Sequence, residues 1–130
     1  MVNYVVRGNE LLVFEHPNSP EAGLQVPAGT VEQGEDHEDA VLREVAEETG
    51  LPDVRIVRKL GSYHYHFLFQ RDEIHHRHVH HLELAGPAPD RWIGGETDGP
   101  KPIVFDLYWM RLDDPKLDMK ARQGELLHRL

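Results

Sequence analysis

The sequence predicts a fold that combines strands and helices, and α+β and α/β/α sandwich architectures both remain open at this point. Three observations predict it. Strand-like runs precede an acidic amphipathic helix, further strand-like runs follow, and the leucines of the last residues have helical spacing. The chain has 130 residues, 39% hydrophobic and 28% charged, which is ordinary globular composition. We therefore expect one domain over residues 1–130.

The first strands are predicted as a β-hairpin. Asn3–Arg7 and Leu11–His16 are rich in valine, leucine and aromatic residues, and Gly8-Asn9 between them suits a two-residue turn. Leu24–Val26 alternates and is predicted as a third short strand that Pro27 ends.

The clearest helix is predicted from Asp36 to Thr49. Asp36 suits the N-cap, Gly50 suits the position after the last turn, and Pro52 prevents continuation. An apolar stripe of Val41, Leu42 and Val45 is expected to face the core.

The remaining elements follow from composition and alternation. Strands are predicted over Val54–Leu60, Ser62–Gln70, His75–Leu84 and Ile103–Arg111. Gly86–Pro102 is rich in glycine and proline and is predicted to be a long loop. The leucines of Arg122–Leu130 predict a terminal helix.

Charge and composition exclude several classes of protein. The net charge is −9, and residues 1–53 carry 12 acidic and 2 basic residues, so a long nucleic acid is a poor partner. No cysteine is present, which excludes disulfides and thiol catalysis and fits a reducing, cytoplasmic location. We expect no signal peptide and no membrane span, because no apolar run approaches ~20 residues.

Three glutamates of the predicted helix point to metal chemistry. Glu44, Glu47 and Glu48 lie at i, i+3 and i+4, so they share one face of the helix. Clustered carboxylates are hard oxygen ligands that suit Mg²⁺ or Mn²⁺. Arg43 is placed to pair either with Glu47 one turn on or with Glu35 in the preceding loop.

The same stretch resembles a known family. Residues 29–51 read GTVEQGEDHEDAVLREVAEETGL. This matches, without departure, the Nudix box of Gly-x5-Glu-x7-Arg-Glu-aliphatic-x-Glu-Glu-x-Gly-aliphatic, a match expected by chance with a probability on the order of 10⁻⁵. The resemblance to the Nudix hydrolase family implies an α/β/α sandwich with a mixed sheet.

The resemblance also implies the chemistry and its residues. It implies Mg²⁺-assisted hydrolysis of a diphosphate, with metal bound by the three glutamates and the Gly29 carbonyl, and with Glu44 favoured as the group that activates water. Glu35 paired with Arg43 is implied to brace the loop and helix. A further carboxylate from a distant loop is expected among Glu96, Asp98 and Asp106, with Glu96 favoured. A homodimer is compatible with the family.

Substrate contacts are predicted in the long loop. Arg91 and Lys101 would bind phosphate, and Trp92 would either stack on a base or pack in the core. We expect the loop to close over bound substrate. Seven histidines lie between His64 and His81, where they would contact phosphate, bind a second metal, or simply occupy strand surface, the reading that the sequence favours.

The sequence therefore predicts a metal-dependent hydrolase acting on a small diphosphate compound, with a nucleoside diphosphate derivative as the favoured class. The alternative is a catalytically silent Nudix-like module that binds nucleotides, which the intact box argues against. Action on an RNA 5′ end is disfavoured by the charge.

Overall fold

The computed structural model describes residues 1–67, 73–96, 100 and 102–130, with the side chains of residues 67, 73 and 96 left out. Within these residues the chain forms one α-helix and a six-stranded sheet. The strands are β1 (Val2–Arg7), β2 (Glu10–Glu15), β3 (Val54–Phe67), β4 (Glu73–Leu84), β5 (Arg91–Glu96) and β6 (Ile103–Arg111), and the helix is α1 (His37–Thr49).

The sheet is mixed, as expected. Its order is β3-β4-β1-β2-β6-β5, in which β1 runs parallel to β4 while the other neighbouring pairs run antiparallel. The hairpin of β1 and β2 around Gly8-Asn9 is confirmed, with Gly8 at φ +60°. Alternation along each strand gives the sheet two apolar faces, because successive side chains point to opposite sides.

Each face of the sheet buries its own hydrophobic cluster. Val41 and Val45 of α1 pack against Val5, Leu82 and their neighbours, so we call this side the helix face. Met119 and Leu126 of the C-terminal segment pack against Tyr4 on the opposite face. The helix therefore lies on one side of the sheet, with its carboxylate-bearing surface turned away from the apolar contact.

The helix prediction is confirmed in its bounds and corrected in one contact. Asp36 is the N-cap, although its side chain makes no capping hydrogen bond, and Gly50 takes the left-handed conformation at φ +72°. Leu42 does not join the buried stripe, since it is 41% exposed. Ala40 is buried instead, one position before Val41.

Two predicted strands form a single one. Val54–Leu60 and the described part of Ser62–Gln70 join as β3, with register shifts between Ile56 and Arg58 and between Lys59 and Gly61. Gly61 marks a β-bulge rather than the end of a strand, a position where glycine is common. The prediction for Leu24–Val26 is wrong, because Gln25 makes only an isolated bridge with Phe14.

The predicted loop over Gly86–Pro102 is also corrected. Residues Arg91–Glu96 form β5, paired in antiparallel register with β6 from Arg91↔Tyr108 to Glu96↔Ile103. Residues 86–90 of the predicted loop form no strand or helix, as expected, and residues 97–99 and 101 lie outside the described residues.

The terminal helix predicted over Arg122–Leu130 is wrong. The segment forms short 3-10 turns at Lys120–Arg122 and Leu127–Arg129, because Ala121 and Arg122 adopt positive φ angles of 55° and 57° that no α-helix admits. Its leucines nevertheless pack on the sheet. The segment is anchored by Tyr4, whose hydroxyl donates to the Gln123 carbonyl at 2.5 Å, and burial raises the pKa of that phenol.

Candidate active site

The three glutamates of α1 lie on its solvent-facing side and border one small cavity. Glu44, Glu47 and Glu48 line a space of about 140 Å³ together with Gly95, Ile103 and Phe105 of β5 and β6. The Glu44 side chain is 15% exposed and that of Glu47 is 52% exposed, so the group is open to a ligand on one side. The cluster predicted from helical spacing is therefore present.

Arg43 holds the carboxylates in place. It pairs with both Glu35 and Glu47, which the sequence predicts as alternative partners. Its Nε and Nη2 donate to the two oxygens of Glu35 at 2.7 and 2.8 Å, a bidentate pair. Its Nη1 donates to Glu44 at 2.9 Å and to Glu47 at 3.3 Å. Nη2 also donates to the carbonyl of Thr30 at 3.1 Å, which ties the loop to the helix.

The ion pair changes the titration of both partners. The Arg43 guanidinium, and next a backbone hydrogen bond from Glu32, lower the pKa of Glu35 to about 2. Hydrogen bonding to Glu35 in turn raises the pKa of Arg43. Both groups therefore stay charged over the whole neutral range, as a bracing pair requires.

Gly29 allows the loop before the helix to touch Glu44. A Cβ at Gly29 would lie 2.1 Å from the Glu44 carboxyl carbon, so only glycine leaves room for that carboxylate. The Gly29 carbonyl accepts a hydrogen bond from the amino group of Met1 at 2.6 Å. The adjacent backbone N–H of Ala28 donates to Glu48 at 3.3 Å.

The donor set fits a hard divalent cation. Carboxylates of the three glutamates and the backbone of Gly29 are oxygen donors that meet at one end of the sheet, and the space that glycine leaves is filled by Glu44. Among the described residues no three acidic or histidine side chains already converge at ligating distance. Arg43 accounts for part of this, since it draws Glu44 and Glu47 towards itself.

Two glycines that no sequence pattern indicated allow close packing of β5, Gly94 against α1 and Gly95 against β6. A Cβ at Gly94 would lie 2.8 Å from the Glu48 carbonyl oxygen and 2.5 Å from Leu107. Gly95 has φ +89°, and a Cβ there would lie 2.5 Å from the carbonyl of Ile103. Glycine content in this segment predicts a loop, but here the Gly94-Gly95 pair permits close packing of a strand.

Phe105 is a further residue of the site that the sequence did not predict. It lines the cavity beside the glutamates and stacks on Phe14, with ring centroids 4.1 Å apart and planes 20° from parallel. His16 meets the Phe105 ring edge-on at 5.0 Å. The alternating apolar pattern of β6 was the only signal for it, and that pattern indicates burial rather than a place in a site.

Trp92 lies in β5 beside the helix. Its indole N–H donates to the Thr49 carbonyl at 2.8 Å, and the ring packs near Trp109 with centroids 6.3 Å apart. Trp92 also lines a groove of about 420 Å³ with Glu47 and Glu48. The indole thus binds the last turn of the helix and borders the glutamates.

Arg91 and Asp106 lie on the other face of the sheet. The Arg91 Nε donates to Asp106 at 2.9 Å, and the guanidinium lies 4.9 Å from the Tyr108 ring, which belongs to the cluster opposite the helix. The structure therefore places Arg91 and Asp106 on the face opposite the glutamates and does not bring them to the cluster. Lys101, Asp98 and the side chain of Glu96 lie outside the described residues.

A cleft on the opposite side of Gly29 contains the histidines. It has a volume of about 840 Å³ and is lined by Met1, Val2, Ala28, Gly29, Thr30, Val31, His37, His75, His76, Arg77, His78 and Gln123. His78 and His76 come from β4, while His37 begins α1. Residues 28–31, in the loop before α1, thus form one wall of a much larger cleft.

Below this cleft the helix face becomes polar and buried. His80 is 5% exposed with no partner for its Nδ1, and its register neighbour Asn3 is fully buried with no partner for its side-chain amide. Burial, and to a smaller extent the charge of Lys59, lowers the pKa of His80 to about 4. This imidazole is therefore neutral at pH 7.

Comparison with known proteins identifies the family. The NUDIX domain model matches residues 2–130. The chain belongs to the NUDIX family. A "NAD-capped RNA hydrolase NudC" of Haemophilus influenzae (strain PittEE) is 44% identical over 114 residues, which cover 85% of this chain and 38% of that protein. The Pseudomonas aeruginosa (strain LESB58) protein of the same name is 31% identical over 113 residues, covering 87% and 36%.

Solved NUDIX structures share the fold. A UDP-X diphosphatase superimposes with a TM-score of 0.65 at 18% identity, covering 98% of this chain and 59% of that one. A Caenorhabditis elegans Ap4A hydrolase gives 0.60 at 21% identity, covering 98% and 90%. The mixed α/β fold expected from the sequence is confirmed. The chain spans little more than a third of the length of the curated relatives it matches.

In the described part of this NUDIX chain, no helix is long and apolar enough to cross a membrane.

Proposed function

We propose that this NUDIX chain hydrolyses a diphosphate linkage in a small nucleoside diphosphate derivative and that it uses Mg²⁺, with Mn²⁺ as a substitute. The observation that carries the proposal is the glutamate cluster of α1, held by Arg43 and Glu35 against Gly29. The names of the relatives and of the similar structures support it. The cytoplasm is the proposed location, since the chain has no cysteine.

The roles of the residues follow from the geometry. Glu44, Glu47 and Glu48, with the Gly29 carbonyl, would hold the metal, which when bound would neutralise phosphate oxygens and lower the pKa of a water molecule. Glu44 lies nearest the Gly29 backbone and is partly enclosed, so it is the proposed acceptor of the water proton. Arg43 and Glu35 keep it in position.

The first test is a panel of diphosphates assayed with Mg²⁺ and with Mn²⁺. Nucleotide sugars, dinucleotides and nucleoside triphosphates are incubated with the chain, and products are identified by mass. We expect cleavage between two phosphorus atoms, which leaves two phosphomonoesters from a disubstituted diphosphate. Binding of panel members without any turnover would instead support the silent binding module.

The second test removes single ligands. Glu47→Gln and Glu48→Gln should each lower kcat by at least about a hundredfold, because each removes one charged ligand, while the melting temperature stays close to that of the parent. Glu38→Gln is the matched control, since Glu38 is exposed on the first turn of the same helix. Near-parental kcat in both variants would contradict the metal assignment.

A further inference from the structure

The cleft beside Gly29 is unlike the rest of this acidic chain. The protein has 23 acidic and 14 basic residues, yet none of the described side chains that line the cleft is a carboxylate. Four histidines and Arg77 line it instead. The described lining of a cavity large enough for a nucleotide-sized group therefore offers imidazoles and one guanidinium but no anionic side chain.

His78 is fixed as a donor. Its Nδ1 lies 2.6 Å from the Lys59 ammonium, which has hydrogens to donate and no lone pair to accept with. The neutral ring must then carry its own proton on Nε2. His78 is half-buried and lines the cleft, so this N–H can donate to a ligand there, and an anionic oxygen is the strongest acceptor for it.

The neighbouring imidazoles are held in a contiguous group. His76 lies 4.4 Å from His78 between ring centroids, and His64 stacks on His76 at 4.6 Å. His37, the first residue of α1, meets His78 edge-on at 5.1 Å. The positive end of the helix dipole thus adds to the same region.

The surroundings of His78 favour its neutral form. Burial, and to a smaller extent Lys59 of β3, His76 of β4 and His37 of α1, lowers the pKa of His78. His37 and His76 are exposed, so an anion has access to these imidazoles and to the Lys59 ammonium beside them.

The cleft adjoins the glutamate site across Gly29, although the described linings of the two cavities have no residue in common. Gly29 lines the cleft, and a Cβ on it would touch Glu44 on the other side. Thr30, the next lining residue, accepts a hydrogen bond from Arg43. A diphosphate bound at the glutamates would therefore have next to it, on the other side of Gly29, a cleft whose described lining contains no carboxylate.

We propose that this cleft binds a phosphate group of the substrate other than the two phosphates of the scissile diphosphate, and that His37, His76 and His78 select for it. The inference rests on the proposed function, because it names the class of substrate for that site. The preferred substrates are diphosphates whose nucleoside carries an additional phosphate.

Matched pairs of diphosphates test the proposal. NADP differs from NAD, and coenzyme A from dephospho-coenzyme A, by one phosphomonoester on the ribose. We expect KM to be at least tenfold lower for the phosphorylated member of at least one pair, with similar kcat values. Equal KM values within both pairs would overturn the proposal even if all four compounds are cleaved.

Variants assign the preference to the histidines. His76→Ala and His78→Ala should raise KM for the phosphorylated member about tenfold and leave KM for its partner unchanged. His78→Gln retains a side-chain donor and should recover part of the preference. His128→Ala is the control, since His128 is exposed and lies outside the cleft lining. An unchanged preference in both alanine variants, with melting temperatures near the parent's, would overturn the assignment.

A binding measurement separates this proposal from the proposed function. Inorganic phosphate is titrated into the metal-free chain while the histidine ring signals are followed by NMR. Saturable shifts of the His76 and His78 signals in the parent, together with a weaker shift of the His76 signal in His78→Ala, would support the cleft site even if no diphosphate is hydrolysed. Signals that do not move would overturn it, whatever the outcome of the hydrolysis panel.

Discussion

Arg43 shows how one side chain organises the candidate site. Its planar guanidinium binds Glu35 in the loop through two parallel hydrogen bonds and still reaches Glu44 and Glu47 on its own helix. Lysine has one ammonium and cannot reproduce this fork. Since the Arg43–Glu35 pair joins the loop to the helix, the position of the Gly29 backbone relative to Glu44 depends on it.

The Arg43–Glu35 ion pair makes the stability of the fold decrease at acidic pH. The folded pKa of Glu35 is about 2, below its ordinary value of 4.5, so the pair stabilises the fold fully above pH 4.5 and this contribution is lost as the pH falls towards 2. We expect Glu35→Gln to flatten the fall of the melting temperature between pH 5 and pH 3. The same fall in Glu35→Gln as in the parent would contradict the pair, and Glu38→Gln is the control.

Gly29→Ala separates catalysis from stability. The new methyl group would overlap the Glu44 carboxylate, so activity should fall at least about a hundredfold, while the melting temperature changes little because a flexible side chain can move aside. Gly8→Ala should do the reverse. Its φ of +60° strains alanine by about 1 kcal/mol or more, but nothing lies within 4 Å of the added Cβ. Assays of kcat and thermal melting on both variants check this, and a fully active Gly29→Ala would contradict it.

At the scale of residues, the sequence predicted the helix side of the site and missed the strand side. Glu44, Glu47 and Glu48 share a face because of helical spacing alone, which is a local property. Gly94 and Phe105 reach the cavity through the pairing of β5 with β6 and through packing on α1, and no local pattern encodes those contacts.

At the scale of secondary-structure elements, the geometry of the site depends on the contact between strand β5 and helix α1. Gly94 has its backbone against the Glu48 carbonyl, and Trp92 donates to the Thr49 carbonyl. The C-terminal turn of the helix is therefore fixed to the sheet on the side where the metal would bind.

Gly94→Ala is expected to disrupt that contact. Its Cβ would lie 2.5 Å from Leu107 and 2.8 Å from a backbone oxygen that cannot move independently, so we expect destabilisation of about 1–3 kcal/mol and reduced activity. Ile93→Ala is the neighbouring control, since Ile93 is 60% exposed and its truncation should change stability by about 0.5 kcal/mol or less. Denaturant unfolding measures both, and equal stability of the two variants would contradict the packing argument.

Predictions for whole elements succeeded where the determinant was local. The hairpin turn at Gly8, the helix bounds and β6 followed from turn chemistry, capping and alternation. The prediction for the C-terminal segment failed, because its nine residues are too few to form a stable helix by themselves and their packing on the sheet holds them in short turns. The sheet fixes it instead through Tyr4 and Gln123, which lie far apart in the sequence.

The charge of the whole molecule makes its stability dependent on cations. Most of the excess negative charge lies in residues 1–53, and the glutamate cluster is part of it. A cation that binds only the folded state stabilises it by about 2.7 kcal/mol at a hundredfold excess over its Kd. We expect Mg²⁺ and Mn²⁺ to raise the melting temperature more than NaCl at equal ionic strength, which only screens repulsion.

The variants and their controls make that experiment specific. Glu47→Gln and Glu48→Gln should lose the part of the shift that NaCl does not reproduce, while Glu38→Gln should keep it. The same increase with MgCl₂ and NaCl in the parent protein would contradict specific coordination at the cluster.

The order of strands in the sheet also governs how the chain reaches its native state. Only the hairpins β1–β2 and β3–β4 and the pair β5–β6 join neighbours in sequence, whereas Val2 pairs with Val79 and Glu10 with Arg111. Forming these distant pairings costs loop-closure entropy before packing compensates for it, and this slows folding. The face that receives α1 draws residues from β1, β2, β4 and β6, so it is complete only when both distant pairings have formed. The carboxylate cluster consequently reaches its working geometry at the end of folding, and a chain cut off before β6 would carry the whole sequence motif without the site.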